Sequence, residues 1–242
     1  MSFLQIVAAS PVLYLGNPHA NAEEAMSLCQ AKAQEGIGIL LFPELNLTGL
    51  SCGDYFYRQD LLSQAWREAQ RLIEASKAWD DLLFTIGLPW AFQGELYLLS
   101  LLVQNGKIHQ AKPRLQLSED PRLPSSPTLK RIFTSGTKIL GLQDPRLGVP
   151  FSAESLLAST DAGPVKLSLL AGQDLWTAGP THGLILHPFG RIQTPENSDH
   201  YLEALEAQHL CTGAEILAAG TGKGESSTDY NYRAALDRKS VV

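Results

Sequence analysis

Apolar positions first come in a block, then at helical spacing, then in a block again. Positions 3–9 (FLQIVAA) form an apolar run of strand length, ended by turn-forming residues. The spacing that follows predicts a helix over 21–35. Asn21 would cap it, with Glu24 three residues on as in a capping box, and Ala22, Ala25, Met26, Cys29 and Ala33 would mark its buried face. Gly36 stops it. Ile37 to Phe42 is apolar throughout, the pattern of a strand covered on both faces. Strand, helix, strand in this order opens a βαβ unit.

A second helix opens at Asp60, with Leu62, Ala65, Trp66, Ala69, Leu72 and Ile73 at helical intervals. Leu82–Ile86 reads as a strand. Tyr97–Gln104 and Lys107–Ala111 flank Asn105-Gly106, a pair that tolerates the positive φ angles of a tight hairpin turn. The stretch 112–164 is rich in Pro, Ser and Gly and reads as loop, with weak strand candidates near Ile139 and Val149. Val165–Ala171 and Gly183–Leu186 are core strands on this pattern. Thr194-Pro195 opens a helix that turns Tyr201, Leu202, Leu205 and Leu210 inward, and Ile216–Ala219 closes the set. No repeat and no linker divides the chain, so 1–242 is expected to be one α/β domain with helices outside a sheet-rich interior.

Composition narrows the function classes. With 44% apolar and 18% charged residues the chain is globular, and a net charge of -6 gives no footprint for nucleic acid or an anionic membrane. Residues 2–16 carry no charge, but they lack a basic leader region and are broken by Pro11 and Gly16. No run reaches the ~20 apolar residues of a membrane helix. The three cysteines, Cys29, Cys52 and Cys211, are odd in number and far apart, as expected of reduced thiols in a cytoplasmic protein. The six histidines show no i,i+4 pair and no cysteine partner, so neither a metal nor a cofactor is expected. Gly220-Thr221-Gly222-Lys223-Gly224 is not a phosphate loop, because a glycine follows the lysine and Leu217 stands where the first glycine is required.

Glu44 draws notice on physical grounds. A carboxylate directly after a buried strand and a proline sits at a sheet end, where α/β proteins place their chemistry; the alternative is a hydrogen-bonded structural carboxylate. The surrounding stretch, Phe42-Pro43-Glu44-Leu45-Asn46-Leu47-Thr48-Gly49 with Ser51-Cys52-Gly53-Asp54, resembles the first signature of the carbon-nitrogen hydrolases, the nitrilase superfamily. Leu15-Gly16-Asn17-Pro18, Ala20-Asn21-Ala22-Glu23-Glu24 and Gly224-Glu225-Ser226-Ser227-Thr228-Asp229 sharpen the resemblance to the glutaminase domain of glutamine-dependent NAD synthetases. The similarity runs from about Ile6 to Asp229 and is poor over 115–135.

The resemblance implies an α-β-β-α sandwich, self-association as a homodimer or higher homo-oligomer, and a triad of glutamate base, lysine and cysteine nucleophile. The cysteine attacks the glutamine side-chain amide and the resulting thioester is hydrolysed. The base is needed because a neutral thiol is a poor nucleophile, the cation because charge develops on the tetrahedral oxygen. Carried over residue by residue, Glu44 matches the base, Arg114 stands at the lysine and Gly172 at the nucleophile. A further family glutamate becomes Leu129, and two substrate-seating positions become His187 and Phe189. Lys112 lies one residue before Pro113, where strand alternation turns it to the opposite face from its neighbour. Loss of a nucleophile typically costs about a millionfold in rate. Arg114 keeps a charge but cannot release a proton, and would pair with Glu44. The leading expectation is a degenerate hydrolase kept as a binding or assembly module. The family's synthetase domain is not expected in this chain, so any role in NAD synthesis would need a separate synthetase subunit. Two alternatives stand beside it: an amidase with its nucleophile moved to Cys52, and a small-molecule sensor using the old pocket.

Overall fold

The structure, a computed structural model, describes residues 4–79, 81–117, 127–160, 163–177, 183–190, 198–221, 224–225 and 234–237. The first half contributes β1 (Ile6–Ala8), α1 (Pro18–Gln34), β2 (Ile39–Leu41), α2 (Gln59–Ala75), β3 (Leu83–Phe92), β4 (Glu95–Gln104) and β5 (Lys107–Pro113). The second contributes α3 (Pro127–Ile132), β6 (Leu156–Thr160), β7 (Gly163–Leu169), β8 (Gly183–Pro188), α4 (Ser198–Thr212), β9 (Ala214–Ala219) and β10 (Ala234–Asp237). One sheet has the order β1-β2-β3-β4-β5 and the other β10-β9-β8-β7-β6. β1, β2 and β3 run parallel, as do β7, β8 and β9; the remaining pairings are antiparallel.

The apolar run at β2 shows why the layers stack as they do. Ile39 and Leu41 point inward to meet Leu167, Leu169, Leu186 and Leu217 of the other sheet. Leu40 and Phe42 point outward, under Ala22, Ala25 and Cys29 of α1 and Ala65, Ala69 and Leu72 of α2. Period-two alternation between two apolar layers requires an unbroken apolar strand. On the far side, Tyr201 and Leu205 of α4 cover Ile185, Ile216 and Ala218. The result is the expected α-β-β-α sandwich. Each buried leucine of these layers contributes roughly 1.5–3 kcal/mol. Among the described residues no helix is long and apolar enough to cross a membrane.

Several local expectations are corrected. α1 starts at Pro18, not at 21, and its cap is Asn17, whose Oδ1 accepts from Ala20 N at 3.2 Å. Asn21 lies inside the helix and ties loop to loop: it accepts from Tyr14 N and donates to Tyr14 O and Leu47 O. A buried amide with three backbone partners is unavailable as a cap. The strand placed near Ile139 is a short 3-10 helix, Gly136–Ile139, and Val149 precedes two isolated bridges, Pro150 to Gln143 and Phe151 to Ala111. Leu202 and Leu210 are exposed, at 41% and 72%, because the stripe of α4 that meets the sheet passes through Tyr201, Ala204 and Leu205. Thr194-Pro195 lies outside the described residues. A second tight turn, Gln93-Gly94, joins β3 to β4 with φ of 51° and 83°.

On the outer surface a small charge network ties α1 to α2. Arg71 reaches Glu23 at 2.7 Å and also binds Glu68, which sits 3.3 Å from His19 Nδ1.

Candidate functional site

The site lies at the carboxyl ends of β2, β5 and β7. Glu44 follows β2 on a turn that lies directly against β3. Gly87 of β3 makes this possible: a Cβ there would stand 2.5 Å from Leu45 N and 3.1 Å from Pro43 O. Asn46 Oδ1 accepts from Gly87 N at 2.7 Å and fixes the turn's height. Leu45 adopts φ of 53°, a strained value for a branched side chain, and its carbonyl accepts from both Thr48 N and Gly49 N.

Arg114 is the first residue beyond β5, and its backbone N–H still donates to Leu98 O. Its Nη1 lies 3.0 Å from Glu44 Oε2 and 3.3 Å from Oε1, so the expected ion pair is present. Both side chains are only 2% exposed. Its Nε donates to Gln116 O at 2.9 Å. The plane of the guanidinium faces Gly172. A Cβ built on Gly172 would stand 2.5 Å from Arg114 Cζ, 2.7 Å from Nη2 and 2.8 Å from Nε. Gly172 has φ of 52°, a region that costs other L-residues roughly 1–2 kcal/mol. Arg114 therefore fills the space in which a side chain at position 172 would begin.

Asp174 completes the arrangement and was not singled out from the sequence. It follows Gly172 in a short 3-10 helix, Gly172–Thr177, and its carboxylate accepts from Leu115 N and Gln116 N at 2.7–3.0 Å. It thereby clamps the segment that carries Arg114. The signal was available, since Asp174 is the one acidic or basic side chain (histidines aside) between Leu167 and Gly190. Lys112 is buried and donates to Ala153 O at 3.3 Å.

Two cations and two anions thus share a closed space, and burial governs their titration. Burial pushes the Glu44 carboxyl up; the Arg114 charge opposes this and the Asp174 charge adds to it. Burial also raises Asp174, against the Leu115 and Gln116 N–H groups and the charges of Lys112 and Arg114. Lys112 is held down by burial, with Asp174 opposing. His187 is lowered to about 4, first by burial and further by the Arg114 charge, although its Nδ1 is 2.6 Å from Leu170 O.

The other positions singled out are filled by packing. His187 stacks on Phe189 with ring centroids 5.3 Å apart, and Phe189 lies 4.6 Å from the Tyr201 ring of α4. Leu129 is buried in an apolar cluster with Leu45, Leu50, Phe56, Leu61 and Leu98, so it packs behind the Glu44 turn. Cys52 Sγ lies 3.2 Å from Thr48 O, and burial, reinforced by the Glu225 charge, pushes the thiol up to about 12. Glu225 is fully buried. Its Oε1 accepts from Leu50 N, Ser51 N and Ser51 Oγ, tying the chain's last quarter to the Glu44 turn; Asp229 lies outside the described residues. Among the described residues no group of three or more His, Cys, Asp or Glu could hold a metal ion.

Known proteins with this architecture can now be compared. The chain aligns over 97% of its length with an amidase of the nitrilase superfamily from Nesterenkonia sp. AN1, at 16% identity, a TM-score of 0.71 and 82% of that chain. It carries the nitrilase-superfamily fold. A glutamine-dependent NAD(+) synthetase from Cytophaga hutchinsonii matches this nitrilase fold with a TM-score of 0.77 at 16% identity, over 97% of this chain and 39% of that one. In sequence, the glutamine-dependent NAD(+) synthetase of Mycobacterium leprae is 27% identical over 95% of this chain and 34% of its own length. That of Arabidopsis thaliana is 36% identical over 39% of this chain and 13% of its own. The chain spans about a third of the Mycobacterium leprae relative. No family model matches it.

Proposed function

We propose that this nitrilase-fold chain is a non-hydrolysing relative of the glutamine-amide-hydrolysing part of NAD synthetases, retained as a binding or assembly module. The observation that carries the reading is the fit between Arg114 and Gly172. A cysteine acts at the active site of the Nesterenkonia amidase; the sequence resemblance puts Gly172 at the nucleophile position, where it offers no side chain, and a guanidinium fills the space one would need. Glu44 is no longer a free base, because its oxygens take the Arg114 N–H groups. Assembly with further copies, partnership with a separate NAD synthetase subunit and cytoplasmic residence belong to the same proposal.

An amidase working through Cys52 is the weaker reading. A half-buried thiol raised to about 12 holds almost no thiolate near neutrality. A sensor using the same pocket is weakened by the side chains that fill it.

The deciding experiment is ammonia release from glutamine by the wild type, Gly172→Cys and Gly172→Cys/Arg114→Lys. The wild type and the single variant are expected to be silent, and the double variant to gain measurable turnover, because the shorter lysine vacates the space beside position 172. Wild-type ammonia release abolished by Cys52→Ser would overturn the proposal, as would labelling of Cys52 by a thiol-alkylating glutamine analogue.

A further inference from the structure

We infer that the hollow between Glu44, the Gln116 carbonyl and Gly172 is a recognition site for a planar cation of the guanidinium or amidinium class, and that Arg114 is its tethered guest. The surroundings of the Arg114 head group are those a free guanidinium would select. Along one edge the Glu44 carboxylate accepts from Nη1 and balances the charge. Along another the Gln116 carbonyl accepts from Nε in the plane of the group. Beneath the flat face lies Gly172, whose missing Cβ leaves room for a plane and for nothing bulkier. Asp174 adds a second negative charge, felt by Arg114, while its oxygens hold the Leu115 and Gln116 N–H groups and so fix the carbonyl that accepts from Nε.

None of these contacts involves the tether. Among the described residues, each hydrogen bond of the side chain runs from a guanidinium nitrogen, and the close approach at Gly172 is to Cζ, Nη2 and Nε. A ligand with the same head and no chain keeps all of them. A neutral carboxamide does not, because it leaves the buried Glu44 charge unbalanced, and a tetrahedral ammonium lacks the planar donor fork. The site therefore discriminates against the amide group that the nitrilase fold elsewhere serves. This inference goes beyond the proposed function, since occupancy by a cation is read from stability and not from turnover.

The test is thermal unfolding of Arg114→Ala in rising guanidinium chloride, up to about 20 mM at constant chloride, beside the wild type. A guest of four non-hydrogen atoms binds at best weakly, so half-saturation is expected at roughly millimolar concentration. The variant should melt lower than the wild type and climb saturably toward it; the wild type, its site already filled, should not rise. Urea, planar but neutral, and tetramethylammonium, charged but tetrahedral, should give no rise. Gly172→Ala added to Arg114→Ala should abolish the response, because the new Cβ would stand 2.5 Å from the place of the guest's central carbon, against its flat face. If Arg114→Ala does not stay folded, refolding in about 10 mM guanidinium chloride against sodium chloride gives the same answer through the folded fraction recovered. No difference from the wild type, or an equal response to urea, overturns the inference.

Discussion

Two glutamate–arginine pairs in this molecule share a chemistry and differ in everything around it. Arg71 and Glu68 meet on the outer surface of the helix layer, with Arg71 42% exposed and His19 and Glu23 within reach as alternative partners. Arg114 and Glu44 meet between the strand ends, each 2% exposed, with the guanidinium's remaining contacts fixed by a backbone carbonyl and a glycine. Solvent and spare partners make the first pair adjustable. The second pair is closed off from solvent, so a charge left there without its direct partner has no water to replace it.

The largest effect should come from breaking the buried pair. Arg114→Met is expected to lower stability by about 3–5 kcal/mol, and Glu44→Leu/Arg114→Met to recover most of that loss, because the cost lies in the orphaned charge. Urea unfolding measures both, guanidinium being unsuitable for a site that would bind it. A single variant costing under about 1 kcal/mol would place the two pairs in one class.

The next effect is a pH dependence that comes from burial and not from ion pairing. His187 titrates at about 4 in the fold against an ordinary value of about 6.5, so the unfolded chain binds more protons between those limits. Stability from this residue is complete above about pH 6.5 and is lost as pH falls toward 4, by up to roughly 3 kcal/mol. The raised carboxyls of Glu44, Asp174 and Glu225 act in the opposite sense, gaining stability as pH falls, so the comparison must be between variants. His187→Asn, which keeps a donor near Leu170 O, should flatten the acid limb relative to the wild type in urea melts at pH 7, 6, 5 and 4. An unchanged limb would show that His187 is not held neutral.

The smallest effect belongs to the surface. Arg71→Ala should cost less than about 1 kcal/mol, and about half of that should disappear at high salt. A larger, salt-independent loss would mean that Glu68, whose own side chain is buried, depends on Arg71 as Glu44 depends on Arg114.

What could be read from the sequence follows the same division between periodic and point-like information. α2 declared itself through a stripe of six apolar residues, and the β4–β5 turn through Asn105-Gly106, whose φ angles of 48° and 70° are those the pair permits. β6 carries no comparable signal: Leu156 and Leu157 sit side by side, one half-buried and the other 70% exposed. The true cap of α1 was written as Asn17-Pro18, but Asn21-Glu24 offered a competing pattern, and only the Tyr14 and Leu47 contacts show which asparagine was free. In the site, Glu44 was marked by its place after a buried strand, Arg114 and Gly172 by the resemblance to the carbon-nitrogen hydrolases, and the structure brings these three together. The Arg114 charge reaches His187 and helps keep it neutral, whereas Leu129 packs behind the Glu44 turn. Asp174 could be found as the lone charged side chain of its stretch, but not its role as a clamp, because that depends on backbone N–H groups 58 and 59 residues away.

Glu225 has a consequence for the order of events during synthesis. The turn that follows Glu44 is held at Leu50 and Ser51 by a carboxylate 174 or 175 residues further along the chain. At 5–20 residues per second, roughly 10–35 s pass between the appearance of that turn and of the group that fastens it. During that interval β1, α1 and β2 can form, but the Glu44 turn still lacks its last fastening. A nascent chain stalled just short of Glu225 should therefore hold a protease-sensitive segment near Leu50, one that becomes protected only when the C-terminal quarter arrives.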